Sequence, residues 1–254
     1  AAAVRIGVVT FPGSNSDVDS LNALAVAGVE PVSLWHESPD LKGVSGVILP
    51  GGFAYGDYIR AGVIARFSPV MGGVKEFAAA GGLVLGICNG FQVLAEAGLV
   101  PGALLRNRSL RFAGRLVNIK PDRLDSPFTR SATGAPMRVP VAHGEGCYYA
   151  DEAMLDELEA NGQVLFRYVH EDGTPALDPD EPANPNGSLR AIAGVCNSAG
   201  NVAGLMPHPE RMSEVILGTD GGMQVVRSLI ESATEWEAAG RPVPAPRTKV
   251  EAAR

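Results

Sequence analysis

The sequence LVLGICNGFQVLAEA, residues 83–97, decides the fold. Leu83 to Ile87 carry no polar side chain and predict a buried strand, whereas the apolar residues that follow recur at helical spacing. The pentapeptide Gly86-Ile87-Cys88-Asn89-Gly90 joins the two elements. A strand that turns at once into a helix strains the backbone of its corner residue, and glycines on either side relieve the crowding. The pattern is typical of a nucleophile elbow with cysteine at the corner.

The place of Cys88 in this pattern favours a reactive thiol. An elbow exposes its corner side chain at the carboxyl edge of the sheet and points it at a helix N-terminus. The positive end of that helix favours thiolate over thiol, and thiolate is the nucleophilic form. The alternative is that Cys88 is a small buried hydrophobe in a turn, and these five residues alone leave both interpretations open.

The chain before the elbow alternates apolar runs with amphipathic segments. Because strand, helix and strand follow one another closely, they form a βαβ unit, which implies parallel pairing. We therefore predict an α/β fold, a doubly wound, mostly parallel sheet with flanking helices. Ligands bind beyond the carboxyl ends of such strands, where Cys88 and the turn Pro50-Gly51-Gly52 both fall. The predicted strands are 4–10, 31–35 and 44–49, and the predicted helices are 18–28 and 69–80.

The chain after the elbow predicts a second set of strands and a closing helix. Two of these strands form a predicted hairpin that ends directly before Pro207-His208-Pro209-Glu210-Arg211. We predict one domain, residues 1–237, followed by a proline-containing tail, 238–254, that is mobile or ordered by a partner. Residues 98–111, 120–135 and 171–187 are predicted to be connections or loops. The predicted strands are 112–119, 137–142, 164–169, 188–196 and 202–206, and the predicted helices are 151–161 and 223–235.

Composition limits the function. The 254 residues carry a net charge of −7, which provides no basic field for nucleic acid, and no apolar run is long enough for a membrane span. Three widely spaced cysteines argue against a disulfide framework and a zinc site. With no secretory signal at the start, we expect a reduced, cytoplasmic protein without a metal site.

A cysteine nucleophile needs a base, and the sequence has four histidines. His36 and His170 lie in charged or polar contexts and are predicted to be surface residues, whereas His143 follows a strand and could line the cleft. His208 is held between prolines and precedes Glu210 by two residues. On an extended segment these two side chains point the same way, so the carboxylate can hold one ring nitrogen while the other faces the thiol.

We therefore predict a triad of Cys88, His208 and Glu210. The alternative for the second motif is a rigid loop in which the acid forms a surface ion pair with Arg211. Acyl transfer also needs N–H donors for an oxyanion. We predict that the Gly51-Gly52 turn supplies one donor, because glycine lets the backbone approach a substrate, and that the amide of Asn89 supplies another.

These motifs and their spacing resemble the triad-type, or class I, glutamine amidotransferases, which implies a flavodoxin-like fold. Within them, the chain closely resembles the glutaminase subunits of phosphoribosylformylglycinamidine synthase, over roughly residues 4–235, and no motif position departs from the pattern. The elbow and the His-Pro-Glu segment point to the superfamily. The segments that carry the closer resemblance are VVTFPGSNSD (8–17), GGFAYGDYIR (51–60), GICNGFQ (86–92), NRSLRFAGR (107–115), PVAHGEG (140–146) and MPHPER (206–211).

The resemblance implies a function in purine biosynthesis. Cys88 attacks the side-chain amide of glutamine, ammonia leaves, and water hydrolyses the glutamyl thioester. By similarity, Gln92 contacts the glutamine, and His143, Gly144 and Glu145 lie near its amino and carboxylate ends. The ammonia passes to a separate synthetase subunit that uses ATP and Mg²⁺ to convert formylglycinamide ribonucleotide to formylglycinamidine ribonucleotide. A small third subunit completes the assembly, and no cofactor is expected in this chain, which lacks a P-loop motif.

Two other functions fit parts of the pattern. A stand-alone cysteine hydrolase with the same elbow would act on peptides or γ-glutamyl conjugates and need no ammonia acceptor. A catalytically silent binding or regulatory subunit would need none of the triad residues, which makes the intact triad an argument against it.

Overall fold

One large sheet organises the computed structural model, which describes residues 4–246. Helices cover both of its faces. The strands are β1 (Arg5–Thr10), β2 (Glu30–Trp35), β3 (Gly46–Leu49), β4 (Leu83–Ile87), β5 (Ala103–Leu105), β6 (Ala113–Pro121), β7 (Met137–His143), β8 (Cys147–Tyr149), β9 (Val164–Val169), β10 (Ile192–Cys196) and β11 (Val202–Leu205). The helices are α1 (Asp17–Val26), α2 (Pro69–Ala79), α3 (Asn89–Glu96), α4 (Glu152–Ala160) and α5 (Met223–Ala238).

The strand order of the nine-stranded sheet is β2-β1-β3-β4-β11-β10-β9-β6-β7 within residues 4–246. The first five strands run parallel, as predicted from the βαβ pattern, and each later neighbour pairs antiparallel. Strand β11 pairs with β4 so that Leu205 is opposite Ile87. This register brings the ends of two distant chain segments together at the carboxyl edge, where Cys88 and His208 follow.

The core lies between the sheet and its helices. Strands β3, β4 and β11 are buried along their whole length, as expected for central strands covered on both faces. Helix α3 buries Phe91, Val93 and Leu94. Each fully buried side chain of this size stabilises the fold by roughly 1.5–3 kcal/mol. The packing therefore fixes α3, and with it the elbow, against the sheet.

Three sequence-based expectations are wrong in detail. Residues 98–111 contain β5, which pairs antiparallel with β8 in a two-stranded sheet that the short apolar segment did not reveal. His36 is buried, not a surface residue, and a 2.9 Å hydrogen bond between its Nδ1 and the Tyr55 hydroxyl compensates for the loss of water. Glu210 lies in a single 3-10 turn, Pro209–Met212, and not on an extended segment.

The division of the chain at residue 237 stays a prediction, and residues 247–254 of the predicted tail lie outside the described residues. The preceding residues fold back onto α5, where the indole N–H of Trp236 donates to the carbonyl of Pro242 over 3.0 Å. Across residues 4–246, none of the helices has the length and apolar character that crossing a membrane requires.

Candidate active site

Cys88 occupies the strained corner between β4 and α3. Its φ is +51° and its ψ is −107°, a conformation that L-residues rarely adopt and that persists only where the surroundings enforce it. The flanking glycines make the corner possible. A Cβ on Gly90 would lie 2.0 Å from the carbonyl oxygen of Leu49, and one on Gly86 would lie 2.6 Å from that of Gly90. The predicted nucleophile elbow is confirmed.

The sulfur of Cys88 is held close to strand β7. The residue is 4% exposed, and its Sγ lies 3.7 Å from the carbonyl oxygen of Ala142. Its backbone N–H donates to Leu205 of β11 over 2.8 Å. The thiol therefore lies where the elbow, β7 and β11 meet, and it lines a cavity instead of being sealed in the core.

His208 and Glu210 form a buried pair beside this thiol. The ring Nδ1 lies 2.6 Å from a carboxylate oxygen of Glu210, and the backbone N–H of His208 donates to Pro140 of β7 over 2.9 Å. The alternative in which Glu210 forms a surface ion pair with Arg211 is wrong, because that guanidinium bonds Asp19 instead. The same strand, β7, thus contacts both the sulfur and the imidazole.

Gly51 lies beside both His208 and Cys88. A Cβ there would lie 2.6 Å from Cε1 of His208 and 3.4 Å from Cβ of Cys88. The imidazole of His208 and the Cβ of Cys88 therefore both lie close to the Gly51 backbone. Burial alone would lower the pKa of His208, but Glu210 and Cys88 raise it to about 10 because both negative partners favour the imidazolium. The geometry brings Cys88, His208 and Glu210 together, as the sequence predicts.

The triad opens onto a cleft made of two adjoining cavities. One cavity, about 150 Å³, is lined by Cys88, and the other, about 80 Å³, by His208. Both share Gly52, Phe53 and Phe112. A larger depression of about 660 Å³ lies at the opposite edge of the sheet and contains no triad residue. The candidate active site is therefore the smaller cleft, which Cys88 and His208 line.

Comparison with known proteins agrees with this geometry. The family model of the CobB/CobQ-like glutamine amidotransferase domain matches residues 3–220. Phosphoribosylformylglycinamidine synthase subunit PurQ of Rubrobacter xylanophilus is 54% identical over 231 residues, which cover 91% of this chain and 99% of that protein. The subunit PurQ of Gloeobacter violaceus is 53% identical over 232 residues, covering 91% and 98%. The chain belongs to the PurQ family of glutamine amidotransferases.

The fold of this PurQ-family chain also matches a solved structure. A chain in the structure of PurLQS from Thermotoga maritima gives a TM-score of 0.78 at 39% identity, covering 90% of this chain and 98% of that one. The class I glutamine amidotransferase fold expected from the motifs is therefore confirmed.

The wall opposite the elbow comes from the loop after β7. Gln92 of α3 lines the cavity, but its amide is bonded within the protein: its nitrogen donates to the carbonyl of Glu145 over 2.6 Å, and its oxygen accepts from Asn89 over 2.9 Å. Gly144 and Glu145 line the same cavity, as predicted for residues near the substrate. Gln92 therefore fixes the wall from which these two residues face the cleft.

His143 also lines this cavity. Its Nδ1 lies 3.2 Å from the side-chain oxygen of Asn107, and its Nε2 lies 3.4 Å from the side-chain nitrogen of Asn186. Burial, and then the charge of His208, lower the pKa of His143 to about 4, so the ring is neutral near pH 7. Both ring nitrogens therefore have partners within the protein, and the ring forms part of the cavity wall.

The sequence reasoning missed three residues of this site. Asn107 and Asn186 brace His143, and Asp57 lines the cavity with Cys88. Burial, reinforced by the nearby Glu145 carboxylate, raises the pKa of Asp57 to about 6. The only available signals were that Asp57 and Asn107 fall inside the segments that carry the family resemblance. Asn186 falls in a polar loop that gave no signal.

Proposed function

We propose that this chain is the glutaminase subunit of phosphoribosylformylglycinamidine synthase in purine biosynthesis. It hydrolyses glutamine to glutamate and passes the ammonia to a synthetase subunit, which converts formylglycinamide ribonucleotide to formylglycinamidine ribonucleotide. The observation that carries the proposal is the juxtaposition of Cys88 with the buried pair of His208 and Glu210 at one cleft, in a chain that matches PurQ subunits over nine-tenths of its length.

The triad geometry supports a two-step hydrolysis. The Cys88 thiolate attacks the side-chain amide carbon, and the resulting intermediate expels ammonia after the His208 imidazolium protonates the leaving nitrogen. A water molecule, deprotonated by the now neutral imidazole, then attacks the thioester and releases glutamate. Glu210 holds the Nδ1 proton in place throughout, so that Nε2 faces the reacting atoms.

Backbone N–H groups complete the site. Gly51 and Gly52 reach the cleft beside the triad, and Asn89 begins α3, so its N–H has no acceptor in a preceding helical turn. We propose that these groups stabilise the oxyanion. Where such donors have been removed in other enzymes, each costs about 10²–10³ in kcat.

Under this proposal, the reaction that consumes the ammonia takes place on the partner subunits. The relative from Thermotoga maritima is part of the assembly PurLQS, which motivates a synthetase subunit and a small third subunit as partners here. We assign ATP and Mg²⁺ to the synthetase and no cofactor to this chain. We also propose a cytoplasmic location, where thiols such as the free Cys88 stay reduced.

The test is a Cys88→Ala variant assembled with its synthetase and small subunits. We expect the complex to lose glutamine-dependent turnover but to keep activity with an added ammonium salt. Cys147→Ser is the matched control, because this thiol donates to the carbonyl of Gly187 and lines neither cavity of the cleft. Persistent glutamine use by Cys88→Ala would contradict the proposal. Partner-independent hydrolysis of γ-glutamyl peptides would favour a stand-alone hydrolase instead.

A further inference from the structure

One buried side chain joins the nucleophile elbow to the neighbouring loop. Asn89 follows Cys88 at the start of α3 and is 1% exposed. Its side-chain oxygen accepts from the backbone N–H of Ala54 over 3.0 Å, and its side-chain nitrogen donates to Asp57 over 3.3 Å and to Gln92 over 2.9 Å. Two of these three bonds leave the helix for the loop that follows β3. The Asn89 side chain itself lines neither cavity of the cleft.

The loop that Asn89 contacts has an unusual backbone. Tyr55 and Asp57 both have a φ of +53°. Such conformations cost L-residues free energy and persist only where the surroundings enforce them. On one side, the N–H of Phe53 donates to the carbonyl of Gly13 over 2.9 Å. Asn89 holds the loop from the other side, that of the elbow.

The same loop begins with the glycine turn beside the triad. Gly52 lines the cavity together with Cys88, and Ala54 follows it by only two residues. A hydrogen bond at Ala54 therefore limits how far the backbone of Gly51 and Gly52 can move from the elbow. A side-chain amide suits this position because it accepts a hydrogen bond, here from a backbone N–H, and also donates, here to two side-chain oxygens.

We propose that the side chain of Asn89 makes it a positioning residue for the oxyanion site. This inference rests on the proposed function, in which the N–H groups of Asn89 and of the Gly51-Gly52 turn stabilise the oxyanion. These donors belong to separate segments of the chain, and the side chain of Asn89 connects the segments through its bond to Ala54. The backbone of Asn89 binds the oxyanion, whereas its side chain fixes the distance to the other donor. A substitution separates the two roles, because every residue except proline keeps the backbone N–H.

The first experiment removes this side chain in the assembled complex. Asn89→Ala should lower glutamine-dependent kcat by about 10²-fold, the effect of a 1 Å displacement in a catalytic site, with KM nearly unchanged. Activity with an added ammonium salt should stay the same. Asn201→Ala is the matched control, because this asparagine is also buried and donates to the carbonyls of Ala78 and Gly82, beside the large depression at the opposite edge of the sheet. The control should lower stability without lowering kcat.

A pair of reagents separates the oxyanion from the nucleophile. Iodoacetamide alkylates the Cys88 thiolate in one step, in which the sulfur displaces iodide and no oxyanion forms. p-Nitrophenyl acetate acylates the same sulfur through a tetrahedral oxyanion, which collapses to an acetyl thioester and releases p-nitrophenolate. Cys88→Ala gives the background from the other thiols. Asn89→Ala should slow acylation by about 10-fold or more and leave alkylation nearly unchanged, since alkylation depends only on the thiolate and its access.

The ratio of acylation to alkylation decides the role of Asn89. Equal losses in both rates would overturn the inference, because the side chain would then support only the nucleophile, and a normal ratio in the folded variant would overturn it too. If the melting curve shows that Asn89→Ala does not fold, Asn89→Ser is assayed in the same way, since its oxygen lies one atom closer to the backbone and loses the bond to Ala54. Failure of the proposed function appears differently, as an unsubstituted complex that uses ammonium but not glutamine. The ester needs no glutamine, so the ratio still decides.

Discussion

Nδ1 of His208 lies 2.6 Å from Oε1 of Glu210, and the two residues are only 1% and 2% exposed. A charge pair removed from water to this extent is stable only when its partners compensate each other closely. Glu210 and the sulfur of Cys88 supply that compensation, which is why the pKa of His208 is raised to about 10 despite burial. Under the proposed function, this imidazolium is the proton donor for the leaving nitrogen.

Replacing Glu210 with glutamine tests this relationship. Glu210→Gln keeps the size of the side chain but removes its charge, so the pKa of His208 should fall and the imidazolium should be less populated. We expect glutamine-dependent kcat to drop by about 10²–10⁴, with the ammonium-dependent reaction of the complex unchanged. Steady-state kinetics with the two nitrogen sources measures both.

The chain offers a matched control for that substitution. Glu181 pairs with the partly exposed ring of His170 over 3.0 Å, far from the cleft residues. Glu181→Gln should therefore leave both activities intact, since a solvent-exposed pair contributes little. If Glu210→Gln retained full glutamine use, the carboxylate would have no part in orienting the base.

A methyl group at Gly51 should separate the triad. In Gly51→Ala, the new Cβ would lie 2.6 Å from Cε1 of His208, so the imidazole must move from its place in the triad. We expect glutaminase activity to fall by at least about 10²-fold, the effect of a 1 Å displacement in a catalytic site, with a normal melting temperature. Gly72→Ala on α2 is the control, because its Cβ meets nothing within 4 Å. Normal turnover by Gly51→Ala would mean that the backbone at this turn is not close to the reacting atoms.

Local patterns were sufficient to predict the elbow and the parallel strands. Gly86 and Gly90 identify a corner because only small residues avoid the clashes that the structure shows there. The apolar runs of the central strands are short and uninterrupted, a pattern that predicts strands buried on both faces. Each of these signals depends on adjacent residues, which a single sequence displays directly.

The remaining parts depend on contacts between distant residues. Nothing next to His36 shows that Tyr55 covers it, and nothing next to Glu210 shows that the chain makes a 3-10 turn while still reaching His208. Asn186 reaches His143 across 43 positions of sequence. Such partners follow no spacing rule, so the sequence predicts a surface position for polar loop residues even where they are buried hydrogen-bonding groups.

Asn107 should prove important for stability despite its polarity. Its side chain accepts from the Gly146 N–H over 3.0 Å and donates to the carbonyls of Arg111 and His143 over 2.9 and 2.8 Å. Asn107→Ala leaves these buried groups unpaired, at roughly 1–3 kcal/mol for each one left unsatisfied. We expect a clear fall in the free energy of unfolding, measured with urea, whereas Asn22→Ala at an exposed site should change it little. An unaltered stability would show that water or a repacked side chain replaces the amide.

The buried ring of His143 should make the fold sensitive to acid. Its pKa is about 4 in the folded chain against 6.5 for an unperturbed histidine, so the unfolded chain binds the additional proton first. The stability contributed by the neutral ring is therefore complete above pH 6.5 and is lost as the pH falls toward 4, by up to roughly 3 kcal/mol. Urea unfolding at several pH values in this range should show a steeper loss for the unsubstituted chain than for His143→Gln. His170→Gln, at a partly exposed site, should retain the steep dependence. Parallel pH profiles for the unsubstituted chain and His143→Gln would assign the acid sensitivity to other groups.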